Sequence, residues 1–309
     1  MRKSAEIIME KYQVRKTEKQ KQAFREWLEG HLSEYGYRLI EEKYSKTGSN
    51  LVVGDVRKAR VVLTAHYDTQ PNFFAPVVMG FSNWISFGIS QIIMLWPMLL
   101  FFGIYLALMN SFPGNAVVSL AGTLVFVAYF FQILCGIANK HTANDNTSGV
   151  ATLISILEDL PQEDRHKVCV VFFDQEELGL IGSKKFQGKY KTVMKNKPLL
   201  NFDCVSDGQT LTFVMKKKFR DSKDFELLKE AAQQAAQESE KKLRFADALW
   251  NIYMSDQLFF PKGVGIVAAK KAPMFGYYID RIHSKWDTKF DAENIALLTD
   301  TTLRLIRTI

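Results

Sequence analysis

The 309-residue chain has only three cysteines, Cys135, Cys169 and Cys204, odd in number and far apart. That excludes a disulfide framework and fits small core residues in a reducing compartment. The opening stretch MRKSAEIIMEKYQVRKTEKQ has no apolar core of signal-peptide length. No internal repeat and no low-complexity linker interrupts the chain. The most informative absence is local. From Thr69 to Asn139, 71 residues contain no Asp, Glu, Lys, Arg or His, where about 17 charged residues are expected at ordinary usage. The whole-chain figures of 24% charged and 47% hydrophobic residues therefore average two different materials, a soluble domain and an uncharged insertion.

The net charge is +7, with basic residues clustered in 1–25 and in KKKFR at 216–220. No aromatic-basic interleaving and no nucleic-acid module accompanies them, so nucleic acid is not an expected partner. A solvated surface accounts for the charge, and attraction to anionic lipid is the alternative.

Residues 17–35 carry Phe24, Trp27, Leu28, Leu32 and Tyr35 at helical spacing. Strands are expected at 37–43, 50–56 and 60–65. After the insertion, TSGVATLISILEDL reads as a helix, KVCVVFF as a strand, and LGLIGSKKFQ as the start of a helix. PLLNFD and LTFVM read as strands, SKDFELLKEAAQQAAQESEKK as a helix, GVGIVAA as a strand and 291–308 as a closing helix. Strands alternating with helices predict a mixed, mostly parallel central sheet with helices on both faces, an α/β class.

Four short stretches end in chemistry-bearing residues. VVLTAHYDT delivers His66 and Asp68 at the carboxyl edge of a strand, where open α/β sheets bind ligands. Two residues apart on an extended chain, both point to one face, so one can bind metal while the other accepts from its distal ring N–H. ANDNTSGVA places Asp145 just ahead of a helix, a position an N-cap also explains. VVFFDQEELGLIGS runs into adjacent Glu176 and Glu177; one can ligate while the other faces a water, although acids at a helix start are ordinary. LLNFDCVSDG ends a strand in Asp203, and DRIHSKWDT supplies His283 with Asp287 nearby. Two histidines with three or more carboxylates form a mixed N/O set suited to zinc or a similar divalent ion. Two ions sharing a carboxylate would explain so many ligands, with a remaining Glu as general base.

HYDT, NDNTSG, EELGLIGS, NFD and IHSKWDT, in that order, resemble the motifs of the di-zinc aminopeptidases of clan MH. That group includes bacterial leucyl aminopeptidase, with glutamate carboxypeptidase and the transferrin receptor as distant relatives. The resemblance covers roughly residues 17–72 and 140–308. It implies a phosphorylase/hydrolase-like zinc-peptidase fold, two zinc ions, and hydrolysis of a peptide or an N-acyl or aminoacyl amide. Position by position, it implies that Asp145 bridges the metals and that His66 and Asp203 complete one site. Glu177 and His283 would complete the other, with Glu176 as general base and Asp68 as the partner of His66. It also implies a cis peptide at Asp145–Asn146. Glutaminyl-cyclase-like acyltransferases share much of this framework with a single zinc, and non-catalytic receptors or scaffolds on this fold have lost ligands. SDQLFF at 255–260 departs from the family's S-D-H segment, because Gln257 stands where His is usual.

The second departure is the uncharged insertion, 73–139, between soluble parts 1–72 and 140–309. Segments 82–109 and 115–138 are each long enough to cross a hydrocarbon core of about 30 Å, and NSFPGN joins them as a tight turn. They read as a two-helix transmembrane hairpin; an apolar cap pair buried in a core or dimer interface is the alternative. Gly103–Ala107 and Ser119–Thr123 are small pairs that permit close helix packing. The turn lacks Lys and Arg, whereas Arg57, Lys58, Arg60 and Lys140 flank the hairpin in sequence, which places the catalytic domain in the cytoplasm. Membrane lipid is thus an expected partner, and the active site is expected close to the bilayer.

Overall fold

Alternation of buried apolar residues builds a ten-stranded mixed sheet in the computed structural model, which describes residues 1–73 and 77–309. The strands are β1 (Leu39–Lys43), β2 (Ser49–Val53), β3 (Val61–His66), β4 (Val77–Gly80), β5 (Val168–Phe173), β6 (Leu199–Phe202), β7 (Thr210–Met215), β8 (Lys242–Asp247), β9 (Gly263–Ala272) and β10 (Gly276–Ile282). Their order is β1-β2-β5-β3-β6-β9-β10-β4, with β7 pairing β8 and β9 off this path. The central β5-β3-β6-β9 run is parallel, while β1, β2, β10 and β4 pair antiparallel.

The helices are α1 (Lys3–Lys11), α2 (Glu18–Glu34), α3 (Trp84–Ser111), α4 (Ala116–Cys135), α5 (Gly149–Asp159), α6 (Ile181–Lys189), α7 (Lys191–Met194), α8 (Lys217–Arg220), α9 (Lys223–Ala235) and α10 (Ala292–Thr308). Thr17 caps α2 in a reciprocal box with Gln20, and Phe24, Leu28 and Leu32 bury one face of it. These residues join α5, α9 and α10 against Leu63, Ala65, Val170 and Phe172 on one side of the sheet. Val62, Cys169, Val171 and Phe173, at the alternate positions, pack on Phe186 and Met194 on the other. The period-2 alternation thus puts helices on both faces. Among the described residues all three cysteines are free, Cys169 and Cys204 buried and Cys135 exposed.

Three local expectations change. The helix expected over 222–242 ends at Ala235, and Lys242–Asp247 becomes a strand paired in parallel with β7. Phe245 stacks on Phe213 there, 5.1 Å between ring centres, so tertiary pairing outweighs helical propensity at Lys242. Val77–Gly80, inside the uncharged stretch, pairs with β10 as a sheet-edge strand. The helices of the hairpin approach at Gly122, whose added Cβ would lie 2.3 Å from the Tyr105 ring, whereas Gly103 has open space around it.

Candidate metal centre

Three parallel strands deliver donors to one sheet edge: β3 ends in His66, β5 leads through Asp174 to Glu176 and Glu177, and β6 precedes Asp203. Left-handed backbone at Gln175 (φ 58°) turns the Glu176–Glu177 pair at the end of β5, and His283 (φ 56°) is itself in that conformation in the loop after β10; such outliers cluster at functional sites. Asp145 lies in the loop before α5, and its peptide to Asn146 is cis. Gly149 opens that helix because a Cβ there would come within 2.2 Å of the Phe202 carbonyl oxygen.

All seven residues picked from the sequence meet here. Asp145 Oδ1 lies 3.2 Å from His66 Nε2, while its Oδ2 lies 3.0 Å from His283 Nε2. His66 Nε2 is also 3.6 Å from Asp203 Oδ1, and His283 Nε2 is 3.5 Å from Glu177 Oε2. Two donors held at about 2.1 Å from one tetrahedral zinc sit about 3.4 Å apart, so these spacings suit ions placed between them. The trios His66–Asp145–Asp203 and Asp145–Glu177–His283 each bring their ligand atoms within 4.8 Å and share Asp145; His66, Glu176 and Glu177 form a third such group. Asp203 Oδ1 is buried with no hydrogen-bond partner, as a donor reserved for a cation would be.

The electrostatics agree. Burial raises the Glu176 carboxyl well above its ordinary range, helped by Glu177 and opposed by His66. Burial and the Asp145 charge do the same to Glu177. Burial disfavours a charged His66, yet Glu176, Asp145, Asp203 and Asp68 outweigh it and raise its pKa. Asp145 moves down despite burial, because His283 and His66 hydrogen-bond to it. Carboxylates packed this tightly repel one another, and a divalent cation relieves that repulsion.

The supporting residues were only partly legible. Asp68 Oδ1 lies 3.4 Å from His66 Nδ1. Asp68 also accepts the backbone N–H groups of Glu176 (3.0 Å) and Glu177 (3.2 Å), fastening the Glu turn to β3. Asp287 accepts from Asn144 N (2.7 Å) and Asp145 N (3.0 Å) and so holds the Asp145 loop. Gln70, oriented to satisfy both neighbours, donates to Glu177 Oε1 (3.0 Å) and accepts from His283 N (3.3 Å). Arg15 is fully buried, donating to the carbonyls of Tyr67 and Tyr12 and to Thr147 Oγ1. It ties the residue between His66 and Asp68 to the Asp145 loop; in sequence it is one cation among many. Gln257 is buried, with its amide accepting from Asn201 (3.1 Å) and donating to the Tyr253 carbonyl (2.9 Å). Its neighbour Asp256 is fully buried, which pushes its carboxyl up to about 7 against the opposing pull of His66.

Residues 126–306, more than half the chain, match the model of peptidase family M28. The chain belongs to peptidase family M28. The matched span includes Asp145, Glu176, Glu177, Asp203 and His283, while His66 and Asp68 precede it. No curated protein matches the sequence. Solved structures share the fold. The glutaminyl cyclase of Porphyromonas gingivalis aligns with a TM-score of 0.61 at 16% identity, covering 99% of this chain and 97% of that one. A leucine aminopeptidase precursor from Bacteroides thetaiotaomicron gives 0.57 at 15%, covering 99% and 96%. Macrostomum lignano glutaminyl cyclase gives 0.59 at 13%, covering 99% and 88%. The α/β architecture is that of these M28 and glutaminyl cyclase folds.

The uncharged hairpin is anchored on this centre. Asn139 N donates to the Gln70 carbonyl (3.0 Å), Asn72 N to Ile137 (2.8 Å), and Phe73 N to the His283 carbonyl (2.7 Å). Its two helices, Trp84–Ser111 and Ala116–Cys135, are long and apolar enough to cross a membrane. Arg57, Lys58 and Arg60 precede β3 and so sit at the end opposite His66, away from the hairpin. Lys140 adjoins the hairpin's exit and Lys285 the His283 loop.

Proposed function

We propose that this M28 chain is a membrane-anchored, metal-dependent aminopeptidase or amidohydrolase with two zinc or similar divalent ions. The reading is carried by Asp145, which offers one carboxylate oxygen to each histidine. His66 and Asp203 would hold one ion with it, and Glu177 and His283 the other. Ions held there would polarise a substrate carbonyl and lower the pKa of a nearby water. Glu176, half-buried and with a raised pKa, takes a proton from that water as its oxygen bonds to the carbonyl carbon. It returns the proton to the nitrogen as the C–N bond breaks. Asp68 and Gln70 keep the Glu turn and His283 in register. The substrate is a peptide or an N-acyl or aminoacyl amide.

The hairpin places this chemistry beside a bilayer, with the domain on the cytoplasmic side. Support comes from the hydrogen bonds that join the hairpin's ends to Gln70 and His283, and from Lys140 and Lys285 at its base against a turn with no Lys or Arg. The test uses detergent-solubilised full chain. Two zinc per chain, chelator-sensitive hydrolysis of aminoacyl, acyl-amino-acid or peptide amides, and a Glu176→Gln variant that keeps metal but loses about 10²–10⁴-fold in turnover are expected. One ion with ring closure of N-terminal glutamine and ammonia release would make it a cyclase. Retained metal with no turnover on any of these would make it a scaffold.

A further inference from the structure

Building on that activity, we propose that an apolar cavity at the base of the hairpin binds the aliphatic chain of the substrate. The substrate class is then a single-chain lipid amide taken from the bilayer, with its scissile C–N bond beside His283. α3 has 28 residues. Its first turns fold back along β4, where Ser86 and Ser90 are buried and Gly80 N donates to Ser90 Oγ (2.6 Å). That leaves about 20 residues, a bilayer-spanning length, and brings Ile93–Phe101 level with Val77 and Phe73. α4 is pinned at the same level by Gln132, whose Nε2 donates to the Asn72 carbonyl (3.1 Å). Farther along, the helices close on one another through Phe102–Phe126 and Tyr105 on Gly122.

At the Ile93–Phe101 level, below the contact of Phe101 with Tyr129, they border a cavity of about 480 Å³, lined by Phe73, Val77, Met94, Pro97, Phe101 and Phe130 among others, with no charged side chain. That volume lies in the range of about 300–1,000 Å³ typical of small-molecule sites. Its lining accepts hydrocarbon and excludes an ionic head group. Phe73 belongs to both places: it lines the cavity, and its ring packs edge-on against the His283 imidazole, 5.1 Å between centres. One aromatic ring therefore separates the apolar cavity from a metal-donor histidine. An amphiphile with its chain in the cavity has its polar end at that ring.

The experiment uses full-length protein and amides of graded chain length, kept below their micellar concentrations. Specificity (kcat/KM) should rise by up to about fourfold per methylene, the transfer free energy of one buried CH₂, and then level off. Met94→Trp, which fills the cavity, should shorten that limit while leaving metal content and short-amide hydrolysis intact. Leu120→Trp, on an exposed face near the turn, should leave the profile unchanged. A long-chain amide with a terminal diazirine should label residues 93–101 and 129–133, and Met94→Trp should abolish that labelling. A profile indifferent to Met94→Trp, or labelling spread evenly to outward positions such as Val117 and Leu120, as bulk lipid contact would give, overturns the proposal. Hydrolysis with no chain-length dependence defeats this site and leaves the activity standing. Confined labelling with no hydrolysis of any amide does the reverse.

Discussion

Replacing Asp145 with Asn tests whether the two metal sites are one unit. The substitution preserves shape and leaves the Asn144 and Asp145 backbone N–H groups on Asp287. It turns one of two donor oxygens into an amide nitrogen with no lone pair to give. Asp145 Oδ1 faces His66 and Oδ2 faces His283, so the side chain can serve only one trio after the change. Zinc sites hold about 10–16 kcal/mol over four ligands, hence about 3–4 kcal/mol per donor, or about 10²–10³ in affinity.

Zinc per chain, measured by mass spectrometry after dialysis against chelators of graded strength, should fall from two to one in Asp145→Asn. Asp203→Ala, which removes both oxygens, should also fall to one, because Asp203 belongs only to the His66 trio. The double variant should still hold one, since the amide oxygen is then free to turn toward His283. Energies of neighbours sharing a partner are not additive, and here the second substitution costs almost nothing. Two ions at wild-type affinity in Asp145→Asn, or loss of both in Asp203→Ala, would refute the shared carboxylate.

Lys21 and Asp174 form a buried pair at 2.8 Å, and Lys21→Met should destabilise the fold by about 3–5 kcal/mol by stranding the carboxylate, read by chemical denaturation. Burial pushes the Asp174 carboxyl up to about 6 from an ordinary 3.8. The folded chain therefore holds this proton where the unfolded chain has released it, and this contribution to stability falls as pH rises from about 4 to 6. Asp174→Asn should flatten that slope, and the Lys21→Met penalty should be smaller at low pH, where Asp174 takes up a proton. Arg15→Met leaves the Tyr67 and Tyr12 carbonyls unpartnered and should cost about 2–4 kcal/mol; Arg15→Lys, lacking the fork, should recover only part of it. With the exposed Cys135 replaced by Ser, a cysteine at Asn115, in the hairpin turn, should react with an impermeant maleimide only from the face opposite the catalytic domain. Labelling from the domain's own side would contradict a spanning hairpin.

The chemistry was legible in sequence because donors stand at the ends of apolar runs. VVLTAH, VCVVFF and LLNF each commit to a buried strand, and parallel strands present their carboxyl ends along one edge. His66, Asp203 and the Glu176–Glu177 pair are therefore brought together by pattern alone, and the missing charge between Thr69 and Asn139 marks the hairpin just as plainly. Partners that act through backbone groups were less legible: Asp68 and Asp287 stand inside the motifs, but nothing in the sequence says which N–H groups they hold. Gln70 and Arg15 are not singled out by sequence: Gln70 bridges the Glu177 carboxylate and His283 N, and Arg15 holds the Tyr67 and Tyr12 carbonyls, contacts that only the folded chain sets side by side. Lys242–Asp247 carries helix-friendly residues yet pairs with β7, since strand pairing is a tertiary decision. The same holds for the hairpin. Its length and composition belong to the sequence, but the placement of Phe73 between an apolar cavity and His283 exists only once both ends are bonded to the metal-site loops.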